Sequence, residues 1–172
     1  WLPRGDDEPR LLVGARSWFW GPTVRFSDDG GQTWTEPEAG AVAFPPDTDA
    51  SVERIWTLEP DPFEADVVWA GAEPHSLWRS TDAGQSFELN RALWEHPHRP
   101  DWMAGAGGPA LHNVHRRADG STLVAMTGSG VYRSADGTTD WAPANRGISA
   151  VFMPDEDPEY GQCVHRLAVD GA

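Results

Sequence analysis

Ser27-Asp28-Asp29-Gly30-Gly31-Gln32-Thr33-Trp34 returns as Ser80-Thr81-Asp82-Ala83-Gly84-Gln85-Ser86-Phe87. A worn third copy reads Ser134-Ala135-Asp136-Gly137-Thr138-Thr139-Asp140-Trp141. The serines stand 53 and then 54 residues apart. Serine and aspartate side chains accept from nearby backbone N–H groups and so favour tight turns. Glycine supplies the positive φ such turns often need. The closing Trp or Phe can pack against a neighbouring sheet. Each copy follows a strand-like stretch: Thr23–Phe26, Ser76–Arg79 and Gly130–Arg133. The segment therefore reads strand, turn, strand. Its carboxylates are structural in this reading. Each copy holds only one or two of them, and the acidic closing position of an EF-hand loop is absent.

Working outward, each copy has a second apolar run upstream: Leu11–Val13, Val67–Ala70 and Thr122–Met126. A Val-x-Arg signal recurs at Val52-Glu53-Arg54, Val114-His115-Arg116 and Val164-His165-Arg166. No helical 3.6 periodicity extends beyond a few residues. A fixed period with several short strands per unit is the signature of a β-propeller.

The Ser-x-Asp-x-Gly-x-Thr-Trp pattern resembles the Asp-box, or BNR repeat. Ser27, Asp29, Gly31 and Trp34 match it, as do Ser80, Asp82, Gly84 and Phe87. The third copy keeps Ser134, Asp136 and Trp141, but Thr138 stands at the glycine position and Asp140 at the Thr/Ser position. Asp-boxes occur in sialidases, xyloglucan-cleaving endoglucanases, photosystem II assembly factors and sortilin-type receptors. The longer pattern is similar to bacterial sialidase-like BNR proteins. It includes Trp20–Val24, Leu77–Ser80, Asn145-Arg146-Gly147 and Asp155–Gly161. The resemblance implies an all-β fold: four-stranded antiparallel blades, A innermost to D outermost, with the Asp-box in the C–D turn.

On that template the first blade spans about residues 10–37, with strand B near 10–15 and strand C near 23–27. The second spans about 52–90 and the third about 113–145. Residues 164–172 open strand A of a further blade. Such a chain is about 3.5 blades, and closed propellers typically have 4–8. The expectation is a piece of a six- or seven-bladed propeller. The box turns are uniform and the other connections vary. Arg16–Pro22 reads as an insertion in the first B–C loop, and the D–A connections near 38–51, 91–112 and 146–163 are long. B–C and D–A loops share the face opposite the boxes, which makes that face the default site.

Composition narrows the chemistry. The 172 residues carry 13 Lys+Arg against 27 Asp+Glu, a net charge of −14, and every one of the 13 is arginine. Schiff-base lysine chemistry and a P-loop lysine are thereby excluded. So acidic a chain is a poor nucleic-acid binder. The single cysteine, Cys163, allows no intrachain disulfide and is expected to be buried. No apolar run reaches the ~18 residues of a membrane span. The lack of disulfides and glycosylation sequons is compatible with a cytoplasmic protein.

The candidate chemistry sits on the variable face. Sialidases use a tyrosine nucleophile with a carboxylate partner, which makes Glu159 and Tyr160 the catalytic candidates. Adjacent residues on extended chain point apart, however. Arg54, Arg116 and Arg166 are expected at equivalent strand-A positions, where they would converge on a substrate carboxylate. Trp18, Trp20, Trp102, His115 and His165 are the remaining substrate-binding candidates. Trp34, Trp56, Trp69, Trp78 and Trp141 are assigned to blade core. No tight histidine spacing marks a metal site, and no cofactor is expected. Two functions follow: a sialidase-like glycosyl hydrolase acting on a glycan or small molecule, or a non-catalytic propeller that binds or assembles a glycan or protein partner.

Overall fold

The computed structural model describes residues 1–4, 7–17, 21–37 and 42–168. Among these described residues, eleven strands form three antiparallel sheets, each wound in simple up-and-down order. The first sheet holds β1 (Leu2–Arg4), β2 (Asp7–Ser17) and β3 (Gly21–Ser27). The second holds β4 (Arg54–Pro60), β5 (Val68–Glu73), β6 (Ser76–Ser80) and β7 (Glu88–Leu89). The third holds β8 (Leu111–Arg116), β9 (Thr122–Met126), β10 (Gly130–Ser134) and β11 (Ala142–Pro143). Among the described residues helix is confined to one turn, α1 (Arg91–Trp94), and two short 3₁₀ segments. This is the all-β architecture of a partial propeller. β1 pairs with β2 and adds a strand ahead of residue 10, where the sequence shows none.

Strand alternation builds the stack. In β5, Val68, Ala70 and Ala72 face the first sheet, while Trp69 and Gly71 face the third. One core cluster, with Val24, Val68, Ala70, Trp78 and Phe87, fills the first inter-sheet space. A second, with Trp69, Leu77, Leu111, Val124, Met126, Tyr132 and Trp141, fills the next. A glycine sets each approach distance. A Cβ on Gly71 would lie 2.5 Å from Leu111 in the next sheet, and one on Gly14 3.2 Å from Ile55. Gly14 and Gly71 pair with Val24 and Leu77, each three residues before its turn serine.

The three turns close by one mechanism. Ser27 Oγ donates to Asp29 Oδ1 (2.7 Å) and accepts from Gly31 N (2.8 Å). Asp29 then accepts from Thr33 N and Oγ1. Ser80, Asp82, Gly84 and Ser86 repeat the pattern. The third turn is one residue tighter than its sequence suggests. Gly137 N, not Thr138 N, bonds Ser134 Oγ (2.9 Å), and Thr139, not Asp140, bonds Asp136. Trp141 still lands in the core at 6% exposure.

Several expectations are corrected. In the stretch expected as a B–C loop insertion, Arg16–Pro22, the β2–β3 ladder continues outward, with Arg16 opposite Pro22 and Ser17 opposite Gly21, while residues 18–20 lie outside the described residues. Trp69, Trp78 and Trp141 are core, whereas Trp34 and Trp56 are 41% and 40% exposed. Phe87 and Trp141 are buried against the preceding sheet; among the described residues no sheet lies in front of Trp34. Cys163 is exposed, not buried. Residues 164–168 form no strand. A strand A is held by its own strand B, and the described residues offer it none.

Candidate functional site

Register decides where the arginines go. Arg54 pairs with Glu73 at the B–C end of β5, whereas Arg116 pairs with Thr122 at the A–B end of β9. They therefore lie at opposite ends of their strands, on opposite faces. The true strand-A repeat is 56 residues: both strands carry a bulge, at Trp56 and at His112. The Val-x-Arg spacing is six residues out of step, so Arg54 aligns with Ala110 and Arg116 with Pro60. The expected convergence of Arg54, Arg116 and Arg166 is not built.

Arg116 is a structural lock on the box-turn face. Its side chain is 10% exposed, and Asp61, its partner, is fully covered. It donates to Asp61 Oδ2 (2.9 Å), Glu64 Oε1 (3.2 Å) and Thr122 Oγ1 (2.9 Å), and to the Gly120 and Asp136 carbonyls. Burial pushes the Asp61 carboxyl up, but Trp69 Nε1, two backbone N–H groups and Arg116 outweigh it, leaving its pKa lowered. His115 lies beside Arg116 at this end, near Glu59 and Trp69.

The opposite face holds two aromatic groupings. One runs along the inner strands. Arg54 sits 5.9 Å over the Trp56 ring and 3.6 Å from Glu73. Trp56 meets His112 edge-on at 4.7 Å, and His112 stacks on His165 at 4.4 Å. Beside Trp56 opens a cavity of about 220 Å³, lined by Gly14, Ala15, Arg16, Pro22, Arg54 and Ile55. The sequence reading named Arg54 and His165 as binding candidates but assigned Trp56 to blade core and did not join them to His112; the 56-residue offset between the Trp56 and His112 positions is the signal that marks the strip. Arg166 is exposed, and His165 belongs with His112 rather than with His115.

The other grouping ties the loop after β7 to β10. Trp102 Nε1 donates to Tyr132 Oη (2.9 Å), and the same hydroxyl shares a hydrogen bond with His98 Nδ1 (3.1 Å). His96 Nε2 donates to the Trp141 carbonyl, while its Nδ1 accepts from His98 N. His96 is therefore neutral, and burial lowers its pKa. His75 bridges the turns of the second and third sheets, donating to the Thr127 carbonyl (2.6 Å), and burial pushes its pKa down to about 4. Trp102 thus serves as a brace. Arg99 lies 3.2 Å over Trp94, donates to His75 O, and is drawn down to about 10 by burial. It borders a cavity of about 450 Å³ with Glu53, Glu73 and Asp49.

Tyr160 stacks on His98 at 4.1 Å and donates to Asp101 Oδ2 (3.0 Å). The Asp101 hydrogen bond, and then burial, raises the Tyr160 pKa, the wrong direction for a nucleophile. Glu159 borders a separate cavity of about 560 Å³ with Asn145, Arg146 and Asp157. No hydrogen bond joins the two side chains among the described residues. Trp18 and Trp20 lie outside the described residues. Among the described residues no group of three His, Cys, Asp or Glu is placed to hold a metal ion, and no helix is long and apolar enough to cross a membrane.

No family model matches the chain, and no curated protein matches it. Among solved structures it is similar to YCF48 bound to D1 peptide, a β-propeller protein, at 22% identity and a TM-score of 0.50. The match covers 78% of this chain and 36% of that one, so the chain spans about a third of the neighbour's length. At that identity the likeness establishes the propeller fold.

Proposed function

We propose that the chain is a non-catalytic propeller scaffold that holds a protein partner, as an extended peptide, along the Arg54–Trp56–His112 strip. The carrying observation is that Trp56, a large aromatic on a rigid strand, stays 40% exposed beside an open cavity. Trp and Arg are the residue types that most often anchor interfaces. The neighbouring fold is seen with a bound peptide, which supports the same use here. Glycosidic chemistry has less support. It needs paired acid and nucleophile, and Tyr160 is already committed to Asp101 with its pKa raised.

The test screens a displayed peptide library on the purified chain and measures the selected peptides by calorimetry. Micromolar binding that falls at least tenfold in Trp56→Ala, with no turnover of a fluorogenic α-sialoside or other aryl glycosides, is the expected result. Turnover lost in a Glu159→Gln, Tyr160→Phe double variant would overturn it and restore the hydrolase reading.

A further inference from the structure

The segment between β7 and β8 is fastened to the third sheet at three points. At its start the Asn90 side chain accepts from Leu93 N (2.9 Å) and Trp141 Nε1 (3.1 Å) and donates to the Gly137 carbonyl (2.9 Å). Toward its end Met103 N donates to the Gly128 carbonyl (3.2 Å). Between them His96 Nε2 donates to the Trp141 carbonyl (3.1 Å), and His96 Nδ1 accepts from His98 N (3.1 Å). The outer two points are amides and do not titrate. The middle one is an imidazole, the side chain whose charge changes near neutral pH. Every one of these bonds joins residues between 90 and 141, so the fastening is complete within the two sheets it connects.

The two bonds of His96 admit one protonation state. A carbonyl only accepts, so Nε2 carries the proton; a backbone N–H only donates, so Nδ1 carries none. A second proton, on Nδ1, would set two N–H groups against each other across the contact to His98. The surroundings offer such a cation little in return. His96 meets His98 edge-on at 4.6 Å and Tyr132 at 5.1 Å. The Trp102 ring lies parallel to it at 6.0 Å, the outer limit of cation–π attraction. Glu95, the adjacent carboxylate, pairs with Arg91. Asp101 accepts from Tyr160 Oη, and Tyr160 stacks on the far side of His98. Arg99 adds a positive charge to the same segment, held over Trp94. Burial lowers the His96 pKa; the Trp141 carbonyl raises it in part and His98 lowers it further.

We propose that His96 is an acid-released latch: a proton on Nδ1 breaks the bond from His98 N and frees residues 94–103 from the third sheet. The latch is closed above about pH 6.5, the ordinary histidine value, and opens as pH falls below it. Trp94 and Arg99 ride on this segment and border the cavity of about 450 Å³, so acid widens that cavity. The inference goes beyond the peptide-binding reading and does not depend on it.

Amide hydrogen exchange of the purified chain at about pH 7.5 and about pH 5, corrected for the intrinsic rate and read by mass spectrometry, tests the latch. The expected result is a loss of protection of about tenfold or more across residues 91–103 at the lower pH, with residues 68–80 unchanged. His96→Gln, whose uncharged amide carries both a donor and an acceptor, should keep its protection at both pH values. Equal protection of the unmutated segment at both pH values overturns the proposal. So does a loss that His96→Gln shares, or one that extends to residues 68–80, which is general unfolding. Should His96→Gln fail to fold by circular dichroism, the His96 ring is titrated by NMR in the unmutated chain. The His98 amide is expected to lose protection as Nδ1 gains its proton, and an amide that stays protected beyond that point refutes the latch.

Discussion

Gly71 lies directly beneath Leu111, so close that a methyl group on its Cα would stand 2.5 Å from both Leu111 Cδ2 and the Leu111 carbonyl oxygen. One strand of the second sheet thus fixes how near the third can come. The backbone carbonyl cannot rotate away as a side chain can.

Gly71→Ala should therefore destabilise by about 1–3 kcal/mol, the usual range for overpacking a tight core. Gly107→Ala, where an added Cβ meets nothing within 4 Å, is the control. Thermal unfolding of the pair checks this, with a melting temperature several degrees lower for Gly71→Ala alone.

Asp61 is the buried hinge of the box-turn face, accepting from Trp69 Nε1, Arg116 Nε and the Phe63 and Glu64 N–H groups. Asp61→Ala should cost about 3–5 kcal/mol, because it strips the buried Arg116 guanidinium of its covered carboxylate partner and leaves only the more exposed Glu64 as counter-charge. Urea denaturation measures it. A loss under 1 kcal/mol would mean that Arg116 finds other partners or water.

The pH dependence has an upper segment from buried histidines, His75 foremost with His96 and His112 lowered by burial as well, and a lower segment from carboxylates. His75 has a folded pKa lowered to about 4, from 6.5. The unfolded chain therefore binds more protons in that window, so stability is full above about pH 6.5 and is lost as pH falls toward 4, by about 3 kcal/mol at most. His75→Gln keeps a donor for the Thr127 carbonyl and should flatten that segment of the curve. Asp29, lowered to about 2 chiefly by its Thr33 hydrogen bonds, and Asp61, also lowered, give stability that is present above about pH 4 and lost below it. The lower segment should survive His75→Gln unchanged.

In the third turn, Thr139→Val should cost roughly 1 kcal/mol, since its hydroxyl donates to Asp136 Oδ2. Asp140 stands at φ 50°, a conformation glycine adopts more easily. Asp140→Gly should be neutral or stabilising. Urea midpoints of the two variants test the shifted register directly; equal losses would favour the alignment in which Asp140 takes the Thr/Ser role.

The repeated turn made the fold legible in the sequence. Hydrogen bonds within a turn are local, so Ser27, Asp29, Gly31 and Thr33 carry their geometry in their spacing. Strand identity followed from the apolar runs on either side. The arginines were not legible in this way. Val-x-Arg recurs at a spacing close to the blade period, yet its second copy starts six residues late, and only pairing to the next strand reveals which end of the sheet a residue occupies. The same holds for the aromatics. Trp34 and Phe87 hold equivalent turn positions, but one is exposed and the other buried because, among the described residues, only Phe87 has a sheet in front of it. Sequence by itself determined the all-β repeat, the turns and the acidic surface, all properties of neighbouring residues. Tertiary structure alone decided which face each arginine reaches, that Tyr160 bonds Asp101 rather than Glu159, and that Trp56, His112 and His165 line up. The Tyr160–Asp101, Trp56–His112 and His112–His165 contacts join residues more than fifty apart in the chain, and strand register sets the arginine faces, so packing and pairing rather than local spacing fix these distances.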